Sequence, residues 1–382
     1  MNFTTKEVIS TSIISALGAL MFLLLPVIIG ITTDNLNLSE QQSGLLVSFY
    51  FLGFLVACVL SPFITTKFDW KNVGYLGGLF MTTGLILIAF LPSYQLVLIF
   101  LSLIGLGSGT LFSLAIVILS KAENAERYFG IKIMFEQVLG ALLLFIIPAF
   151  IVTSFGYQGS FLAISCTVIL LGSASYGLPK TARITNKGIM KVADKTSSSL
   201  SCNIKLWIAL FCLCLFFGAL STLWSFVERL AVTNKLAGDD IGLGLSLSVM
   251  GGAVGGFLAA YIGNKLNLKK SILLITPLIL LIVWAFYLQF TFVVFTLAAF
   301  SLSLCWNFSL AYQMKIVINQ DESKASWLAS FLAIGGIICP AVGGFLLGGA
   351  GWLGLFSAIT FILIICSIGF YNVCSNKRAL AS

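Results

Sequence analysis

Twelve apolar runs, each closed off by a polar break, leave this chain few ways to fold. About 20 apolar residues make a helix long enough to cross a lipid bilayer. The runs are Ile9–Ile31, Ser43–Thr65, Val73–Leu91, Gln95–Leu119, Gly130–Thr153, Gly159–Leu178, Leu206–Val227, Ile241–Ile262, Ser271–Leu288, Phe292–Gln313, Ser326–Leu347 and Gly351–Val373. Apolar residues make up 59% of the 382 positions and charged residues 9%, against about 25% charged in an ordinary soluble domain. No soluble fold of this length hides that much apolar surface. Links as short as Leu91-Pro92-Ser93-Tyr94 and Gly348-Gly349-Ala350 force antiparallel neighbours. The first run is too long for a signal peptide, and no small-x-small cleavage site follows it, so it reads as a retained helix.

Lysine and arginine set the orientation of such spans. With the N-terminus in the cytoplasm, only Arg229 and Lys235 of the 21 basic residues fall outside. Miscounting the helices by one before the middle would scramble that bias. The pattern predicts an all-α membrane protein with 12 transmembrane helices and both termini cytoplasmic. It also explains the net charge of +8 without nucleic acid as a partner. The longest polar segment, Pro179 to Asn203, carries Lys180, Arg183, Lys187, Lys191 and Lys195. It reads as a cytoplasmic linker over 179–203. The expected units are a six-helix bundle over 1–178 and a second over 204–382.

The chain has no histidine, which excludes a histidine-based relay, metal site or catalytic triad. Its 9 cysteines contain no Cys-x-x-Cys pair and read as small apolar packing residues. A membrane enzyme would need acids, serine–lysine or metal ligands clustered at one face, and the acids here are scattered. No cofactor, metal or enzymatic activity is expected.

One loop occurs twice. Pro62 to Asn72 includes Thr66, Lys67, Asp69 and Lys71; Ala260 to Lys270 includes Asn264, Lys265, Asn267, Lys269 and Lys270. Lys67 and Lys265 are 198 positions apart (67 to 265), about half the chain, which suggests a duplicated unit. These residues resemble the loops between helices 2 and 3 and between helices 8 and 9 of the major facilitator superfamily, with the pattern Gly-x-Leu-Ala-Asp-Arg-x-Gly-Arg-Lys. In the second copy Asn264 stands at the acid, Lys265 at the arginine, Asn267 at the glycine and Lys269 at the final lysine. In the first, Thr66 replaces the acid, Lys67 keeps the base, Asp69 replaces glycine, and Lys71 supplies the last base after a one-residue slip. The resemblance implies two pseudo-symmetric bundles with Lys67, Asp69, Lys71, Asn264, Lys265, Lys269 and Lys270 in cytoplasmic gating loops. Neither copy keeps the acid of the family's charge latch. A plain basic turn is the competing reading.

Helix-packing signals are also present. Helix 8 contains Gly251-Gly252-Ala253-Val254-Gly255-Gly256, and helix 11 contains a glycine-rich stretch from Gly335 through Pro340 to Gly344. Glycines four apart let helix backbones approach closely.

Alternating-access transporters bind their solute near the midplane, between the two repeats. Glu136 is the one carboxylate well inside a predicted span, roughly 9 Å past Gly130. A carboxylate at that depth is costly when charged, which suits a proton carrier. Lys132, one turn earlier, offers the competing reading of a boundary ion pair. Gln137 stands beside it. Trp306 and Asn307 lie at a similar depth in the other half and suit a partly aromatic or amphipathic solute; packing and a bond to a helix carbonyl are the alternatives. Ser108, Ser113 and Ser221 are weaker lining candidates. Glu228-Arg229 and Asp239-Asp240 read as solvated interface charges, with an outer gate as the alternative. No span interior holds a clear lysine or arginine, which disfavours a dianionic solute.

The expected function is secondary transport of a small organic solute by alternating access, coupled to protons. One membrane acid and a lipophilic cavity favour export of lipophilic or cationic compounds. Uptake of a small metabolite and a non-transporting sensor or scaffold of the same fold are the alternatives. A monomer in a bacterial inner membrane is expected.

Overall fold

Each apolar run forms a helix, and most of the helices are longer than hydropathy marks. The computed structural model describes residues 3–121, 125–179, 204–262, 267–288, 291–320 and 327–375, with no strand among them. Helix α1 spans Thr5–Leu36, α2 Glu40–Lys67, α3 Trp70–Phe90, α4 Tyr94–Leu119 and α5 Ala125–Ile146. A π-helical turn, Ile147–Val152, carries α5 into α6, Thr153–Gly172, and a 3-10 turn, Ser173–Gly177. Then come α7, Ile204–Thr233, α8, Gly238–Ile262, α9, Leu268–Leu288, and α10, Phe292–Ile318. The run Trp327–Ser375 breaks at Gly351 into α11 (327–350) and α12 (351–375). Most of the linker expected over 179–203, together with Asn264 and Lys265, lies outside the described residues.

The added length comes from polar caps that a hydropathy count does not see. The Glu7 amide donates to Thr4 Oγ1 at 3.3 Å and the Thr4 amide to Glu7 Oε2 at 2.9 Å. Ser39 and Gln42 repeat this capping box at α2. Such reciprocal bonds satisfy amides that the first helical turn leaves open.

Among the described residues, ten helical runs are long and apolar enough to cross a membrane. Two of them, Tyr128–Gly177 and Trp327–Cys374, have 50 and 48 residues. At about 1.5 Å per residue each is more than twice a hydrocarbon core of ~30 Å. Each breaks at one glycine, Gly156 with φ 60° and Gly351 with φ 64°, a backbone region that L side chains avoid. Helices α1 and α7 are central. In their most apolar stretches 83% and 78% of the residues are buried, against 28–50% for the other runs. Helix α2 packs on α4 and on the α11–α12 run, α5 on α1 and α8, and α8 on α10.

Among the described residues, the later part of the loop makes the same contacts in both copies. Asp69 Oδ1 accepts the Lys71 amide at 3.0 Å and Asn267 Oδ1 accepts the Lys269 amide at 3.0 Å. The two side chains cap the starts of α3 and α9. The Lys71 ammonium lies 4.7 Å from the centroid of the Tyr176 ring, and that of Lys269 lies 5.4 Å from Tyr371. Lys71 thus matches Lys269 at the same 198-residue spacing (71 to 269), with no one-residue slip. Lys67 ends α2, and Lys67, Asp69 and Lys270 are exposed.

Glycine lets α2 and α4 meet backbone to backbone. A Cβ on Gly105 would strike the Tyr50 carbonyl, and one on Gly53 would strike that of Ser102. Nothing stands within 4 Å of a Cβ on Gly78. Gly105→Ala should therefore destabilise the protein by about 1–3 kcal/mol, as overpacking does, and lower the unfolding midpoint in detergent. Gly78→Ala should leave that midpoint unchanged or slightly raised.

Candidate functional site

Helices α1, α4 and α5 meet α7, α8 and α10 around a cavity of about 180 Å³. Glu136 and Gln137 reach it from α5, and Trp306 and Asn307 from α10. The four side chains singled out from sequence therefore share one chamber. Phe22, Phe112, Phe217 and Trp224 add aromatic walls. Phe22 and Phe217 stack at 5.8 Å with 27° between planes. The Trp306 ring meets them at 6.0 and 5.7 Å.

Glu136 is buried, 6% exposed. Its Oε1 pairs with Lys132 Nζ at 2.6 Å and accepts the Ser15 hydroxyl at 2.5 Å. Lys132 is itself only 4% exposed, and its ammonium lies 4.3 Å from the centroid of the Phe112 ring. The expectation that no lysine lies inside a span is corrected here. A lone ammonium would be too costly at this depth, but a carboxylate partner and an aromatic face hold it.

The remaining polar groups fall into two sets. Asn307 Nδ2 donates to the Ser303 carbonyl at 3.0 Å, the competing reading drawn from sequence, yet the residue still lines the cavity. Ser303 Oγ is engaged with Ser248 Oγ at 2.7 Å. Gln137 and Asn307 converge over Gly252, whose Cβ would stand 3.6 Å from Gln137 Oε1 and 2.8 Å from Asn307 Nδ2. The Trp306 indole N–H has no hydrogen-bond partner, although the residue is 6% exposed. Ser108, Ser113 and Ser221 do not line the chamber. They turn to Met81 Sδ, Cys58 Sγ and the Gly218 carbonyl.

A proline ties the two halves together here. Pro26 has no N–H, so the Phe22 carbonyl, four residues earlier, has no intrahelical donor. Trp224 Nε1 from α7 donates to it at 3.2 Å. Further contacts join the halves toward the end of the molecule that carries the α1–α2 loop. Arg229 forms an ion pair with Asp34, and Ser48 Oγ donates to the Ile337 carbonyl at 2.6 Å. Gly44 abuts the Pro340 carbonyl, and Gly344 abuts that of Glu40. Glu228 and Arg229 are half-buried and take part in this closure, which corrects their reading as solvated charges. Asp239 and Asp240 do lie in the first turn of α8, where the helix dipole favours acids.

Residues 11–319 match the family model described as Major Facilitator Superfamily. Many solved structures share the fold, the following three among them. The nucleoside transporter NupG matches with a TM-score of 0.79 at 12% identity, over 98% of this chain and 100% of that one. The D-xylose-proton symporter matches at 0.72 and 15% identity, over 96% of each. A bacterial homologue of the human lysosomal transporter Spinster, in an inward-facing and unoccupied conformation, matches at 0.75 and 12%, over 98% of each.

The bond between halves can be isolated by a double-mutant cycle. Trp224→Phe removes one hydrogen bond between α1 and α7, about 1 kcal/mol, a factor of about five in any equilibrium that separates them. Spin labels at Asn37 and Lys235 should report the wider separation. In a Pro26→Ala background the Phe22 carbonyl regains a helical donor, so the same substitution should shift the labels much less.

Proposed function

Since this chain belongs to the Major Facilitator Superfamily, we propose that it carries a small organic solute through the central cavity by alternating access, coupled to protons at Glu136. One chamber bounded by helices of both halves carries this reading. A rocking motion of one half against the other would open such a chamber to either side in turn. In this reading the molecule crosses the membrane twelve times, with glycine breaks at Gly156 and Gly351 as two of the reversals. Residues 1–178 and 204–382 form two six-helix bundles joined by 179–203. Both termini face the cytoplasm, so the closure at the α1–α2 end seals the outside. The hinge residues Lys67, Asp69, Lys71, Asn264, Lys265, Lys269 and Lys270 lie at the cytoplasmic face. The protein acts as a monomer in a bacterial inner membrane.

Glu136 is placed to register a proton. Its carboxylate is the acceptor for both Lys132 and the Ser15 hydroxyl. A proton on Oε1 would discharge the ion pair and loosen α5 from α1. The neighbouring Gln137 faces Asn307 of the second half, so a shift of α5 reaches α10 directly. A proton symporter and a nucleoside transporter among the similar structures support proton-coupled movement of a small polar solute. Export of a lipophilic compound is the second reading, favoured by the five aromatic side chains of the chamber. A sensor or scaffold of the same fold would show no flux at all.

Glu136→Gln should abolish solute flux driven by a pH gradient in proteoliposomes. It leaves Lys132 as an unpaired buried cation, a loss of about 3–5 kcal/mol. The double variant Lys132→Met with Glu136→Gln should recover most of that stability without recovering coupled flux. Coupled flux with a normal pH profile in the double variant would make the pair structural only.

A further inference from the structure

We infer that the central cavity takes an uncharged, planar nitrogen heterocycle, gripped at its edge by the Trp306 indole N–H and by the amides of Gln137 and Asn307. This rests on the reading of the cavity as the transport site and adds the class of solute.

Charge decides first. The two ionisable groups at the chamber, Glu136 and Lys132, neutralise each other at 2.6 Å. A cationic ligand would need a carboxylate free of its lysine, and an anionic one a lysine free of its carboxylate. Separating a buried pair leaves an uncompensated charge. A neutral ligand needs neither.

Hydrogen-bond capacity decides next. Trp306 Nε1 is a donor with no partner, on a side chain more than nine-tenths buried. Asn307 spends one amide hydrogen on the Ser303 carbonyl, which leaves its carbonyl oxygen for a ligand. The Gln137 amide, beside it across Gly252, offers both a donor and an acceptor. The complement is a ligand edge that alternates acceptors with N–H groups. An unsubstituted hydrocarbon would cover the indole N–H and leave it unbonded, which is costly in a dry site.

Shape decides last. Phe22 and Phe217 lie nearly parallel and Trp306 closes their edge, an arrangement that packs on flat rings rather than on polyols. At about 180 Å³ the chamber is below the roughly 300–1,000 Å³ of drug-sized sites, so one or two rings fit. Neutral charge, mixed polar edge and flat faces together describe a nucleobase-like heterocycle.

The test uses the purified full-length protein and four probes: adenine, uracil, D-glucose and benzyltrimethylammonium. Saturable binding of adenine or uracil by titration calorimetry is expected. Trp306→Phe keeps an aromatic face and removes the N–H donor, and should weaken that binding by about tenfold. Gln137→Leu should do the same, and because Gln137 makes no hydrogen bond among the described residues, the variant's unfolding midpoint should stay near that of the parent. The proposal is overturned if neither heterocycle binds, or if both variants bind as tightly as the parent. Flux assays separate this from the transporter reading. Binding of a heterocycle with no flux would sink transport and leave the ligand class standing. Flux of glucose or of benzyltrimethylammonium without heterocycle binding would sink the ligand class and leave transport standing.

Discussion

A lysine and a glutamate one helical turn apart, both buried, set the electrostatics at the centre of this molecule. Each would be untenable there alone. Together, with the Ser15 hydroxyl and the face of Phe112, they form a neutral unit that holds α5 against α1 and α4. The chamber beside them inherits that neutrality. The groups left over for a ligand are then uncharged: an indole N–H, two amides and a set of aromatic faces. The pair is also the one place in the chamber where a proton would change the charge.

Around that centre, the second organising constraint is that no backbone polar group goes unpaired in hydrocarbon. Pro26 breaks the rule within α1, and the repair comes from the opposite half through Trp224. A local defect in one helix thereby becomes a bond between halves. Close backbone approach does similar work elsewhere. Gly251 and Gly255 of α8 lie against the carbonyls of Phe300 and Leu304 of α10, and Gly335 of α11 lies against that of Cys214 of α7. These contacts let each pair of helices pack backbone against backbone.

The repeat that was legible in two loops extends well beyond them. The caps at Asp69 and Asn267, the cation–ring contacts of Lys71 and Lys269, and the breaks at Gly156 and Gly351 recur at spacings of 198, 198 and 195 residues (69 to 267, 71 to 269, 156 to 351). Only the loop pattern could be read in advance. Tyr176 and Tyr371 sit among apolar residues with nothing to mark them. The degraded first copy hid the equivalence of Lys71 and Lys269 behind an apparent slip. In both copies an acid or amide at the glycine position caps the next helix, and that shared task explains why aspartate and asparagine stand there.

The sequence by itself determined the class of fold and the approximate bounds of the helices, and it singled out Glu136, Gln137, Trp306 and Asn307. Those follow from local quantities: apolar run length, the period of basic loops and the rise per residue of a helix. It did not determine which of these side chains meet, or what neutralises Glu136. Lys132 looked like a boundary residue because depth was counted along one helix, and its inward position depends on Ser15 and Phe112 from two others. Phe22, Phe112, Phe217 and Trp224 are ordinary apolar residues until six helices bring them to one point. Packing between segments distant in the chain decides such matters, and no local property of the residues encodes it.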